Sequence, residues 1–148
     1  MLVTMSKRDR TGTASTRAIS SRKVLIAEDS GDIREMLQLL FETNGFDVIA
    51  ASDGRNALRL ALQSVPDLVL LDLQLPWIDG IAVARELRQN VRLKDTLIVI
   101  VSGHDPLDYR QKALAAGCDD YMQKPMDFER LEKLLKWTGG NKVLRAAG

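Results

Sequence analysis

The chain has a single cysteine among its 148 residues, Cys118, which excludes an internal disulfide and suits a reducing cytoplasm. Its one histidine, His104, leaves no His/Cys cluster of the kind that holds zinc. No apolar run approaches the roughly 18 residues of a membrane span, and no continuous apolar segment near the start reads as a secretory signal. Net charge is nearly absent too, at +1, but that figure conceals a division. Six bases stand against one acid in residues 1–23 and three bases lie in 136–148, so residues 24–135 carry a net −7. An acidic body argues against nucleic-acid binding by the folded region.

What is present falls into three parts. Residues 1–22, rich in Ser, Thr and Arg and without an apolar period, are expected to be a disordered basic leader, with a weak likeness to a transit peptide. Residues 23–137 are long enough for one domain with a real core. Residues 138–148 form a short tail after the stop at Gly139-Gly140, with no appended effector domain expected.

Between the tails, short aliphatic runs alternate with helical stretches. Strands are expected at VLIA before Glu28, at Phe46 to Ala50, Asp67 to Leu71, Leu97 to Val101 and Asp119 to Gln123. Helices are expected after Ser30 as N-cap, with a stripe of Ile33, Leu37, Leu40 and Phe41, and over Gly54 to Gln63, Gly80 to Asn90, Pro106 to Ala116 and Phe128 to Trp137, the last capped by Asp127. This five-fold βα alternation implies an α/β fold, a parallel sheet covered on both faces. Glu28, Asp29, Asp72, Ser102 and Lys124 each stand where an apolar run ends. In such a sheet the carboxyl ends of the strands share one edge, where ligands bind. Five residues spread over about a hundred positions therefore converge on one crevice.

VLIAEDS, LVLLDLQLPWIDG, VIVSGHD and DYMQKPMD, in that order and spacing, resemble the motif blocks of the response regulator receiver domains of two-component signalling, of the stand-alone chemotaxis-regulator type. The resemblance covers residues 23 to 137. It implies a flavodoxin-like, doubly wound five-stranded sheet of order 2-1-3-4-5 with five helices. It also implies that Asp72 accepts a phosphoryl group from a sensor histidine kinase or a histidine phosphotransfer protein.

The chemistry follows from the residue types. Carboxylates about 4 Å apart at an effective dielectric near 20 repel by on the order of 4 kcal/mol, a cost that a divalent cation removes. Carboxylate, carbonyl and water ligands favour Mg²⁺ or Mn²⁺. Asp29 and Asp72 are expected to ligate directly and Glu28 through water, and the resemblance adds the backbone carbonyl of Gln74. Lys124 and the metal would stabilise charge on the transferring phosphoryl oxygens. The Ser102 hydroxyl can donate to a phosphoryl oxygen, and the resemblance couples it to an inward swing of Tyr121. It also implies a cis Lys124-Pro125 bond, and assigns Gln74 and His104 to tuning of dephosphorylation. Gly103 stands where that family usually has alanine, and Ser30 where it often has a third acid.

The expected function is a phosphorylation-controlled protein-binding switch, or a phosphate relay, rather than an enzyme beyond its own phosphorylation and dephosphorylation. The downstream partner is expected on the face of the fourth helix, fifth strand and fifth helix, with neither nucleic acid nor membrane involved, on a monomer or weak phosphorylation-dependent dimer. A haloacid-dehalogenase-like phosphatase would need a second aspartate where Gln74 stands. A flavodoxin would place a phosphate loop where Glu28 and Asp29 repel phosphate. A receiver working without phosphorylation is the remaining alternative, disfavoured because every site residue is present.

Overall fold

The computed structural model describes residues 22–136, so the expected leader and tail fall almost wholly outside the described residues. Five strands form one parallel sheet: β1 (Lys23–Ala27), β2 (Asp47–Ala51), β3 (Leu68–Asp72), β4 (Leu97–Ser102) and β5 (Asp120–Gln123). Their order is β2-β1-β3-β4-β5, as the resemblance implied. The helices between them are α1 (Gly31–Thr43), α2 (Gly54–Ser64), α3 (Gly80–Arg88), α4 (Pro106–Ala115) and α5 at residues 128–136.

Alternation along each strand builds two cores. Leu25, Val69, Leu71, Ile98 and Ile100 face one way and pack with Ala57, Ala61, Val83, Leu87 and Ala113 of α2, α3 and α4. Val24, Ile26, Leu70 and Val99 face the other way and pack with Phe41, Leu131 and Leu135 of α1 and α5. The central strands are buried on both faces, which is why their sequence reads as unbroken aliphatic runs. The helices begin where an oxygen-bearing side chain takes up a free backbone N–H: Ser30, Asp53, Asp79 and Asp105 each accept from the first turn, and Asp127 accepts from Arg130.

Several boundaries differ from the sequence expectation by a residue or two, among them β2 at Asp47–Ala51 and β5 beginning at Asp120. β3 and β4 each run one residue further, because Asp72 pairs with Val101 and Ser102 with Gln123 in the ladder. The third helix stops at Arg88, and Asn90 instead caps a short 3-10 turn, Val91–Leu93. Along α1 only Phe41 of the expected stripe is fully buried, pinned edge-on against Phe46 and Phe128. Ile33, Leu37 and Leu40 are half-buried and line a cleft of about 450 Å³ between α1 and Pro125-Met126. Cys118 is buried, and burial pushes its thiol up to about 12.

Glycine matters where backbones touch. A methyl group on Gly80 would overlap the Asp72 carbonyl, whereas nothing stands within 4 Å of one on Gly103. Gly80→Ala should therefore lower stability by about 1–3 kcal/mol, and Gly103→Ala should leave it within about 0.5 kcal/mol or slightly raised. Urea midpoints of the two variants check the contrast.

Candidate phosphoacceptor site

The crevice lies at the carboxyl edge of β1, β3, β4 and β5. Glu28 directly follows β1 and is 4% exposed, and Asp72 ends β3 with its side chain 13% exposed. Lys124 follows β5, and its backbone N–H donates to the Ser102 carbonyl at 2.7 Å, lacing the ends of β4 and β5 together. Its ammonium nitrogen lies 3.4 Å from Glu28 Oε1 and 3.5 Å from Asp72 Oδ2. One cation thus faces two carboxylates, and the Lys124-Pro125 bond is cis.

The sequence placed five groups here, and the structure gathers them unequally. Glu28, Asp72 and Lys124 are in direct contact. Ser102 is 1% exposed at the neighbouring strand end. Asp29 follows Glu28 but is exposed, and among the described residues no three His, Cys, Asp or Glu side chains are grouped as a ready metal cage. The donor set still suits a hard cation. Burial and then the Glu28 charge hold the Asp72 carboxyl above its ordinary pKa, and Lys124 only partly opposes them. The Glu28 part of that shift reflects two carboxylates set against one another, and an all-oxygen set of carboxylates is the chemistry Mg²⁺ takes. Gln74 is exposed at the mouth and its N–H donates to Asp72 Oδ1 at 3.3 Å.

Ser102 leads away from the crevice. Its Oγ accepts from the His104 N–H at 3.0 Å, and the His104 carbonyl accepts from the Tyr121 hydroxyl at 3.0 Å. Tyr121 is 1% exposed, so the ring already lies inward. The His104 ring packs on Tyr109 with centroids 5.1 Å apart. Arg110 of α4 and Arg130 of α5 both bind Asp120 Oδ1, at 3.0 and 2.6 Å, fastening the surface beyond.

Sequence reasoning missed Arg34. Its guanidinium donates to the carbonyls of Glu28 at 2.9 Å and Asp29 at 3.4 Å, and so holds the loop that carries both acids. The signal available was a basic residue one turn into the helix that follows an acidic pair.

The family model for the response regulator receiver domain matches residues 24–136. The chain belongs to that family. Among curated relatives, this receiver is 40% identical over 105 residues to the alkaline phosphatase synthesis transcriptional regulatory protein PhoP of Bacillus subtilis, covering 71% of this chain and 43% of that protein. It is 38% identical over 109 residues to response regulator MprA of Mycolicibacterium vanbaalenii, covering 74% and 46%. The chain spans just under half the length of these relatives. Among solved structures, the receiver resembles chemotaxis protein CheY4 of Vibrio cholerae with a TM-score of 0.73 and 28% identity, over 80% of this chain and 99% of that one. It also resembles the receiver domain of sensor histidine kinase PA1611 from Pseudomonas aeruginosa, solved with magnesium coordinated in its active site cleft, with a TM-score of 0.71 and 28% identity over 81% and 99%.

Folding raises the Asp72 pKa, so the native state holds that proton more tightly than the unfolded chain. The stability this adds is complete below the unfolded value of about 4 and is lost as pH rises through the folded value. Asp72→Asn should therefore be more stable than wild type at pH 7 in the absence of divalent metal, with the advantage shrinking as pH falls toward about 4. Urea unfolding across that range tests it. A difference independent of pH would remove burial and Glu28 as the causes.

Proposed function

We propose that this receiver accepts a phosphoryl group on Asp72 from a histidine kinase or histidine phosphotransfer protein, and uses it to switch protein binding or to pass the phosphate on. The observation that carries the proposal is that one crevice joins a nucleophile with its cation, Asp72 and Lys124, to a hydrogen-bonded chain, Ser102 to His104 to Tyr121, that leaves the site. An Asp72 oxygen attacks the phosphorus of phosphohistidine, and the N–P bond breaks with its electron pair returning to the imidazole. Raised basicity suits Asp72 to that attack. Lys124 neutralises charge on the phosphoryl oxygens, and the Ser102 hydroxyl, whose proton is not committed to His104, donates to one of them. Asp29 and Asp72, with Glu28 through water and the Gln74 carbonyl, would hold Mg²⁺, which supplies further charge neutralisation when bound.

Ser102 accepts from His104, and His104 holds the Tyr121 hydroxyl. A shift of Ser102 toward phosphate therefore pulls on the contact that fixes Tyr121, and changes the face formed by α4, β5 and α5. The anion must favour one arrangement over the other for this to act as a switch. Gln74 and His104, two residues beyond Asp72 and Ser102, are the side chains placed to tune loss of the phosphoryl group. The reading includes a cytoplasmic location and protein partners rather than nucleic acid or membrane, on a monomer or a weak phosphorylation-dependent dimer. The net −7 of residues 24–135 supports protein over nucleic acid, and among the described residues no helix is long and apolar enough to cross a membrane.

Acetyl phosphate with Mg²⁺ should label the protein once, and Asp72→Asn should abolish the label, as read by intact mass. Sustained turnover of general phosphate monoesters, far faster than loss of its own label, would instead indicate a phosphatase. Ser102→Ala should accept phosphate yet bind its partner at least about tenfold more weakly than phosphorylated wild type, a difference of roughly 1.4 kcal/mol. Equal binding at equal phosphorylation would sink the route through His104 and Tyr121.

A further inference from the structure

The Trp77 side chain takes no part in the core or in the phosphoacceptor crevice. Its backbone is left-handed, with φ of 74°, and the residue is 74% exposed. For a residue with a Cβ that conformation costs about 1–2 kcal/mol. The compensation visible is the Arg55 guanidinium, 4.7 Å from the ring centroid, and such a contact at an exposed site returns about 0.5–1 kcal/mol. Val65 makes an instructive contrast. It too is left-handed, at 48°, but it closes α2 as its C-cap and packs half-buried against the core. Trp77 buries nothing comparable, and the turn closed across it by the Ile78 N–H and the Pro76 carbonyl accounts for its backbone but not for a large aromatic side chain held in the open.

The loop beneath it is fixed. Gly54 N–H donates to the Pro76 carbonyl at 3.0 Å, Ile78 N–H to the same carbonyl at 2.9 Å, and Gly80 N–H to Leu73 at 2.8 Å. A methyl on Gly54 would overlap the Ile78 carbonyl, so α2 and this loop are in backbone contact. The indole therefore stands on a rigid mount. Arg55, whose guanidinium lies on the indole, and Arg59 stand four residues apart on the exposed face of α2. α2 contains no Asp or Glu, whereas each of the other four helices carries at least one. The adjoining Asp53 has its two oxygens engaged by Asn56. A basic row ending in an exposed tryptophan thus stands on an acidic body.

We propose that Trp77, Arg55 and Arg59 form a docking surface for an acidic segment of a partner protein, an apolar side chain of that segment lying on the indole and its carboxylates meeting the two guanidinium groups. Rigid Trp and Arg are the residue types that dominate binding at such surfaces, and a pre-set loop lowers the ordering cost. The surface lies on the α2 side, away from the α4, β5 and α5 face.

The test is fluorescence anisotropy of the full chain with a fluorescein-labelled peptide of glutamates around a central phenylalanine. Saturable binding should weaken at least about tenfold in Arg55→Glu/Arg59→Glu and in Trp77→Gly, and should hold in the control Arg92→Glu/Lys94→Glu, which reverses two exposed bases elsewhere. Glycine suits the backbone at position 77, and a thermal melt confirms that this variant folds. No saturable binding by wild type, equal loss in the control, or unchanged binding in Trp77→Gly overturns the proposal. So does tighter binding of a labelled DNA duplex through the same residues.

Discussion

Two carboxylates drawn out of water beside one ammonium set the terms for the rest of this structure. Glu28 and Asp72 end adjacent strands, and a parallel sheet brings those ends to one edge whatever their distance in sequence. Their repulsion is relieved but not cancelled by Lys124, which reaches both across the intervening β4. Everything near the crevice answers to that arrangement. Arg34 ties down the acidic loop by its carbonyls, Gly80 lets the backbone approach Asp72 from the far side, and the Lys124 backbone is bonded to Ser102. Removing one partner of a half-buried charge group leaves the others costly, so the three side chains are electrostatically interdependent.

That interdependence coexists with a path outward. Ser102, His104 and Tyr121 form a chain in which one link is a side-chain oxygen and the next a backbone carbonyl. Each bond is modest, about 1 kcal/mol net, so the proposed switch would have only a small cost to meet in the loop between β4 and α4. Beyond it the Asp120 carboxylate is shared by Arg110 and Arg130. Movement of Tyr121 would be felt by Arg110, which also donates to the Tyr121 carbonyl. The structure has Tyr121 inward, so the face formed by α4, β5 and α5 is closed around a buried ring rather than presenting it.

Much of this was legible in the sequence. The aliphatic runs of β1, β3 and β4 identified buried parallel strands, because burial on both faces leaves no room for alternation. Ser30 and Asp127 marked helix starts, because a free backbone N–H needs an acceptor. Glu28, Asp72, Ser102 and Lys124 were found by position alone, since a polar residue that ends a buried run has to lie at the sheet edge. Strand ends were misjudged by one residue at Asp72 and Ser102, because polarity suggested a loop where ladder pairing continued.

What the chain determined by itself was therefore the alternation of elements, the identity of the crevice residues and their chemical types, all encoded in local patterns of apolar and polar residues. Tertiary structure decided which of them touch. Only packing shows that Lys124 serves Glu28 and Asp72 together while Asp29 stays exposed, that Arg34 grips two carbonyls, and that Trp77 is held left-handed in the open. Those facts depend on distances between residues far apart in sequence and on backbone contacts such as that of Gly54 with Ile78. No local pattern carries them, because the energies that set them arise only once the strands have been brought side by side.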